Sequence, residues 1–252
     1  MTKEIEKYWN KASKGYQENS KIETKSAHYG PYAPNENKLK LLGSVKGKKI
    51  LEIGCGGGQC SVAFAKQGAK CTGLDLSREQ LKYAEELAKK NKVSIKFLKH
   101  DIQTLKGLKS NTYDIVFSAF ALHYVPDLTK CFEEVFRVLK KGGLFVFSFD
   151  HPFYSSLSPE TFKIYKNYNI SGKIEETETR PDGSKHKFIY YSRKVSDIFD
   201  SLLKASFSIE RMIEPFDKRT EKAWREEHWK EIYPEKLVEM VCPTIIFKSK
   251  KK

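Results

Sequence analysis

Ile50-Leu51-Glu52-Ile53-Gly54-Cys55-Gly56-Gly57-Gly58 is a short apolar run that meets an acidic residue and then glycines at alternate positions. The apolar part fits a buried strand, and the following stretch Gln59 to Lys66 fits a helix, so the glycines fall in a tight strand-to-helix turn. A turn almost free of side chains, placed beside the free N–H groups of a helix start, lets a ligand approach the backbone. The dinucleotide fingerprint is the nearest competitor, but it requires glycine at the sixth position of the loop, where this chain has Gln59.

The pattern continues downstream. Ala69 to Asp75 is a second short strand closed by an acid, about twenty residues past the glycine turn, where a doubly wound fold places a carboxylate for the two ribose hydroxyls. Ser77 caps the next helix, Gln80 completes a capping-box pattern, and Leu81, Ala84, Leu87 and Ala88 recur at helical spacing. A third strand is expected at Val93 to Leu98, followed by His100-Asp101-Ile102, and a fourth at Tyr113 to Phe117. Asp127 caps a helix with an apolar stripe from Leu128 to Leu139, ended by Lys140-Lys141-Gly142-Gly143 before a fifth strand, Leu144 to Phe149. Beyond Asp150, Ser196 can cap a helix through Ile198, Leu202 and Leu203, Phe207 to Ile213 alternates like a strand, and Val241 to Phe247 is a last strand.

The spacing of an acid, one residue, then Gly-x-Gly-x-Gly resembles motif I of the class I S-adenosylmethionine-dependent methyltransferases. The helix end Arg137-Val138-Leu139-Lys140 with Gly142-Gly143 before an apolar strand resembles the same family, and the likeness runs from about Gly47 to Asp150. It implies a Rossmann-like, doubly wound α/β fold: a seven-stranded sheet, mostly parallel with an antiparallel last strand, and helices on both faces. It implies S-adenosylmethionine as cofactor and S-adenosylhomocysteine as product. By this resemblance Gly54, Cys55, Gly56 and Gly58 hold the methionine end, and Glu52 steadies the turn or reaches the amino group. Asp75 with Leu76 flanks the ribose, Asp101 with Ile102 meets the adenine, and Ser118, Ala119 and His123 lie in the post-strand segment beside the cofactor. A leading helix in related enzymes folds over the cofactor, with Tyr16 or Tyr8 as the closing aromatic here; packing on the outside of the sheet is the alternative.

At 252 residues, a single domain is expected, with 1–45 as an amino-terminal helical cap, 46–150 as the cofactor-binding core, and 151–193 and 214–240 as insertions covering the substrate site. The second insertion carries Trp224 and Trp229. No apolar run is long enough to span a bilayer and no signal peptide is evident, so a cytoplasmic protein is expected. The five cysteines show no Cys-x-x-Cys pair, which suggests reduced core thiols and no metal site. The net charge of +14 is spread along lysine-rich helical faces, which fits a solvated surface and leaves nucleic acid as a second-ranked partner.

Methyl transfer from a sulfonium needs alignment and exclusion of water more than covalent machinery. An amine or hydroxyl acceptor must still lose a proton, and His123 and His151, which follow the fourth and fifth strands, are the candidate general bases. The fourth strand is followed by Ser118-Ala119-Phe120-Ala121, not by the Pro-containing motifs of DNA base methyltransferases. Paired carboxylates for a catechol-type magnesium site are also missing there. A small-molecule acceptor, methylated on nitrogen or oxygen, is therefore the leading expectation. RNA methylation and cofactor binding without turnover are the alternatives.

Overall fold

A computed structural model of the chain describes residues 2–179, 185–217 and 227–252. Trp224 lies outside them. The chain opens with helix α1 (Thr2–Ser20) and a short α2 (Glu36–Leu39). It then alternates through β1 (Lys49–Ile53), α3 (Gln59–Lys66), β2 (Lys70–Asp75), α4 (Arg78–Lys90), β3 (Lys96–Lys99), β4 (Tyr113–Ala119), α5 (Leu128–Val138) and β5 (Leu139–Asp150). A separate hairpin, β6 (Gly172–Thr179) with β7 (Lys185–Ser192), precedes α6 (Val195–Lys204), β8 (Ser208–Ile213), α7 (Glu227–Lys230), α8 (Glu235–Met240) and β9 (Thr244–Lys250).

Among the described residues, seven strands form one sheet in the order β3-β2-β1-β4-β5-β9-β8. The pairings β1 with β2, β1 with β4, β2 with β3 and β4 with β5 are parallel, and β9 runs antiparallel to both β5 and β8. Central strands of such a sheet must be apolar on both faces. Residues 50–53 and 115–118 are accordingly all buried. On one face Leu51, Ile53, Val116, Phe145 and Phe147 pack on Phe132 and Val135 of α5 and Ile198 and Leu202 of α6. On the other, Ile50, Ile115, Phe117 and Val146 pack on Phe64 of α3 and on Tyr29, Leu41 and Leu42 of the leading segment. The order reverses between β1 and β4, so their carboxyl ends diverge and open a crevice.

Several boundaries differ from the sequence expectation for local reasons. Strand β3 begins at Lys96, not Val93, because the Val93 amide still donates to Ala88 O in the turn that closes α4. Helix α5 ends at Val138, and Leu139 already pairs with Tyr113. Gly142, at φ +78°, lets the chain bulge before pairing resumes at Leu144 opposite Ile115. Pro243 has no N–H to offer the ladder, so β9 starts at Thr244. Lys194, not Ser196, is the N-cap of α6, and Asp197 accepts its backbone N–H. Ser77 and Asp127 do cap α4 and α5, accepting from the amides of Gln80 and Lys130. The Gln80 side chain does not close a capping box; its Oε1 accepts from Gln17 Nε2 of α1 at 2.7 Å.

Candidate active site

The glycine turn is built by contacts that leave no room for side chains. Gly54 sits at φ +69°, and a Cβ there would stand 2.2 Å from the Ala121 Cβ. The Cys55 amide donates to Leu74 O (2.8 Å), tying the turn to the end of β2. The Gly56 amide donates to Asp75 Oδ2 and the Ser77 amide to Asp75 Oδ1, both at 2.8 Å. Gly58, the N-cap of α3 at φ +78°, lets α3 approach α4, since a Cβ would meet Ala84 Cβ at 2.9 Å.

This turn forms one wall of a cavity of about 700 Å³ at the carboxyl ends of the parallel strands. Of the residues anticipated from sequence, Tyr16, Glu52, Gly54, Cys55, Gly56, Asp75, Leu76, Asp101, Ile102, Ala119 and His123 line it. Three do not. Gly58 serves helix packing, the buried Ser118 hydroxyl donates to Ile53 O (2.9 Å) and fastens β4 to β1, and His151 faces the other way. The Phe153 amide donates to His151 Nδ1 (3.2 Å), so Nε2 carries the proton and donates to Glu214 Oε1 (2.7 Å). That arrangement holds the chain after β5 and gives His151 no access to a ligand in the cavity.

The acidic residues fit the cofactor that the motif implies. An ionised carboxylate has about four acceptor sites. Asp75 gives one site on each oxygen to a backbone amide and keeps capacity for two vicinal hydroxyls. Asp101 Oδ1 accepts from the Gln103 amide at 2.9 Å, which orients it at the cavity edge. Glu52 is only 4% exposed and accepts the Ser61 hydroxyl on Oε2 at 2.5 Å; burial pushes its pKa up to about 7. Burial also raises Asp75 and places the Cys55 thiol well above its ordinary value, which leaves Cys55 inert as a nucleophile.

Opposite the turn, α1 supplies a roof. Tyr8, Trp9 and Tyr16 project from it into the cavity. Trp9 meets Tyr16 and Tyr124 edge-on at 5.3 and 5.6 Å, Tyr16 meets Trp229 at 6.4 Å, and Tyr8 meets Phe188 at 4.9 Å. Gln17 anchors α1 over the turn, donating to Gln80 and accepting from Gln59 Nε2 at 2.6 Å. The rings of Phe188, Trp229 and Tyr233 come from the segments beyond Asp150, so the wall is assembled from positions far apart in sequence.

Phe120 turns the chain after β4 through a left-handed conformation (φ +56°), which directs the following residues to the cavity. His123 there is 14% exposed at its side chain, and its buried Nδ1 has no hydrogen-bond partner. Burial and the nearby Arg193 charge drive its pKa down to about 3, so it is neutral at pH 7. Arg193 in turn bonds the carbonyl of Val125, holding the loop. Asp150, at the end of β5, lies 3.7 Å from His123 Nδ1 through Oδ2 and accepts from the Tyr233 hydroxyl on Oδ1 at 3.3 Å. Its side chain keeps 33% of its surface, and that surface faces the cavity; enclosure raises its pKa to about 7. At 3.7 Å, with His123 neutral, the two are neighbours and not an ion pair. Asp150 was missed at the sequence level, although an acid closing a strand is the same signal that picked out Asp75.

No lysine or arginine lines the cavity among the described residues, in a chain with 46 of them. Four carboxylates do: Glu52, Asp75, Asp101 and Asp150.

A family model described as a methyltransferase domain matches residues 51–147. An uncharacterized protein of Haemophilus influenzae is 33% identical over 188 residues, 70% of this chain and 74% of that protein. Ubiquinone biosynthesis O-methyltransferases of Bordetella avium and Vibrio cholerae are 34% and 29% identical; the chain spans only 45% and 59% of their lengths. Among solved structures, an S-adenosylmethionine dependent methyltransferase from Mesorhizobium loti superposes with a TM-score of 0.61 at 24% identity, over 84% of this chain and 94% of that one. One from Clostridium acetobutylicum gives 0.62 at 17% identity, over 96% and 98%. These two likenesses concern the fold. No helix among the described residues is long and apolar enough to cross a membrane.

Proposed function

This chain belongs to the class I S-adenosylmethionine-dependent methyltransferases, and we propose that it methylates nitrogen or oxygen of a small-molecule acceptor by direct in-line displacement. The observation that carries the reading is the roofed cavity beside the glycine turn, closed by aromatic rings and free of basic lining residues among the described ones. A concave, largely apolar pocket with a few placed polar groups suits a compact ligand. A polyanion such as RNA requires basic side chains along its path, and none of the described lysines or arginines lines the cavity. The ubiquinone O-methyltransferase relatives point toward the same acceptor class.

In this reading Asp75 takes the ribose hydroxyls, Asp101 and Ile102 the adenine, and the Gly54 to Gly56 turn with Glu52 the methionine end. The cofactor supplies a sulfonium methyl already activated for displacement. The protein lines up the acceptor behind it and keeps water out, which is the work of Trp9, Tyr16, Tyr124, Phe188, Trp229 and Tyr233. Within the segments 151–193 and 214–240, the described residues Phe188, Trp229, Ile232 and Tyr233 act as the cover of the acceptor site.

The test is methyl-labelled S-adenosylmethionine incubated with cell extract divided into small-molecule, RNA and protein fractions. Label in small molecules is expected, and ribonuclease-sensitive label would overturn the acceptor class. Asp75→Ala is expected to weaken S-adenosylmethionine binding by about 10- to 100-fold, the worth of hydrogen bonds to a charged group; unchanged affinity by calorimetry removes Asp75 from the ribose.

A further inference from the structure

The polar groups of the cavity fall into two sets. Glu52, Asp75 and Asp101 surround the glycine turn and are used by the cofactor in the reading above. Asp150, His123 and the Tyr233 hydroxyl stand at the ends of β5 and β4 and after α7, under the rings of α1, and the reading above assigns them no bond to the cofactor.

We propose that the acceptor is an amine on a flat apolar body, its nitrogen held between Asp150 Oδ2 and His123 Nδ1 beneath the aromatic roof. The proposal rests on the methyltransferase reading and narrows it from nitrogen or oxygen to nitrogen. Three observations carry it. His123 Nδ1 is buried without a partner, and Asp150 Oδ2 lies 3.7 Å away, too far for a direct hydrogen bond. With His123 in its Nε2–H tautomer, Nδ1 and Asp150 Oδ2 are two facing acceptors that one nitrogen with two or more N–H groups satisfies, whereas a hydroxyl has a single proton to give. Second, Asp150 is the lining carboxylate left outside the cofactor set and no lysine or arginine lines the described cavity, which favours a cation there, while Arg193, whose charge reaches His123, bonds the Val125 carbonyl. Third, the faces and edges of Trp9, Tyr124 and Trp229 surround the same space and stabilise a cation and its flat carbon frame.

The chemistry balances without a further reactant. The bound ammonium gives one proton to the Asp150 carboxylate and exposes its lone pair. The lone pair forms the new N–C bond as the C–S bond breaks, and that electron pair stays on sulfur, which leaves as a neutral thioether. The positive charge of the sulfonium ends on the N-methylammonium product. A carboxyl group raised to about 7 is a far better proton acceptor for this purpose than an exposed aspartate.

The experiment uses protein saturated with S-adenosylhomocysteine, so that the cofactor carboxylates are covered. Phenethylamine and its neutral counterpart 2-phenylethanol are titrated against the tryptophan fluorescence of the protein, to which Trp9 and Trp229 of the cavity contribute. The amine is expected to bind at least about tenfold more tightly, and Asp150→Asn is expected to bring the two within about threefold while S-adenosylhomocysteine affinity is kept. The preference should fade as pH falls below about 7 and Asp150 protonates. The groups around Asp150 are His123, Tyr124, Tyr16, Tyr154 and Tyr233, with the Arg193 cation acting on His123, and none of them changes charge in that range. Glu52 at the glycine turn, also raised to about 7, titrates there too, so the loss of the pH dependence in Asp150→Asn assigns it to Asp150. Equal affinities in the wild-type protein, or no binding of the amine, overturn the proposal. Label from the extract experiment then separates the two readings: an O-methyl small-molecule product refutes the amine and keeps the enzyme class, whereas an N-methyl product supports both.

Discussion

Glu52→Gln should make the protein more stable at alkaline pH while weakening its hold on the cofactor. Glu52 is 4% exposed at the end of β1 and has the Ser61 hydroxyl as hydrogen-bond donor, with no ion pair to a cation among the described residues. Its folded pKa of about 7 lies above the ordinary 4.5 because burial penalises the charged form. A group raised in this way binds its proton more tightly in the folded state, so between about pH 4.5 and 7 stability falls as pH rises, and the full penalty is present above 7. The span from 4.5 to about 7, at 1.36 kcal/mol per pH unit, gives on the order of 3 kcal/mol. The amide oxygen of the substituted side chain can still accept the Ser61 proton, so the substitution removes the charge and keeps the contact. Urea denaturation of the apo protein at pH 5 and at pH 8.5 measures the effect. The variant should match the wild type within about 1 kcal/mol at pH 5 and exceed it by about 2 to 3 kcal/mol at pH 8.5. On the proposed reading, in which Glu52 meets the cofactor's positively charged amino group, calorimetry at pH 7.5 should show S-adenosylmethionine affinity reduced about tenfold. A wild-type and a variant curve that run parallel across this pH range would refute the reasoning, because the buried charge would then cost nothing.

Gly54→Ala forces a Cβ to 2.2 Å from Ala121 at a left-handed φ. Together these should cost about 2 to 5 kcal/mol, seen as a lowered urea midpoint and loss of cofactor binding. A variant that folds and binds normally would mean that Ala121 yields freely. Gln17→Ala removes the two Gln17 side-chain bonds from α1 to α3 and α4, leaving Asn10 Oδ1 to accept from Ser77 and Glu79 at the start of α4. It is expected to destabilise the fold by about 1 to 2 kcal/mol and to accelerate amide exchange in α1 more than in the sheet; uniform exchange rates would deny α1 its role as a separately anchored roof.

How much was legible in the sequence depended on whether the signal was local. Glu52, the glycines and Gln59 to Lys66 are contiguous, and a buried strand running into a glycine turn and a capped helix has few other conformations open to it, so β1 and α3 could be read directly. Asp75 and Asp101 follow because a parallel sheet sets the carboxyl ends of its strands side by side, and position in the chain then fixes position at the cavity edge. Boundaries slipped where pairing with a distant partner decided the matter. Leu139 is extended because Tyr113 lies opposite it, and β9 starts at Thr244 because Pro243 has no N–H to give. The acceptor side depended wholly on tertiary structure. His123 and His151 both follow strands and look equivalent in sequence, yet one faces the cavity beside Asp150 and the other turns to Glu214, a choice made by the backbone path after each strand. The roof joins Trp9 of α1, Phe188 of β7 and Trp229 of α7, and no periodicity in the chain records that these rings meet, since such contacts exist only once the sheet has brought their elements together.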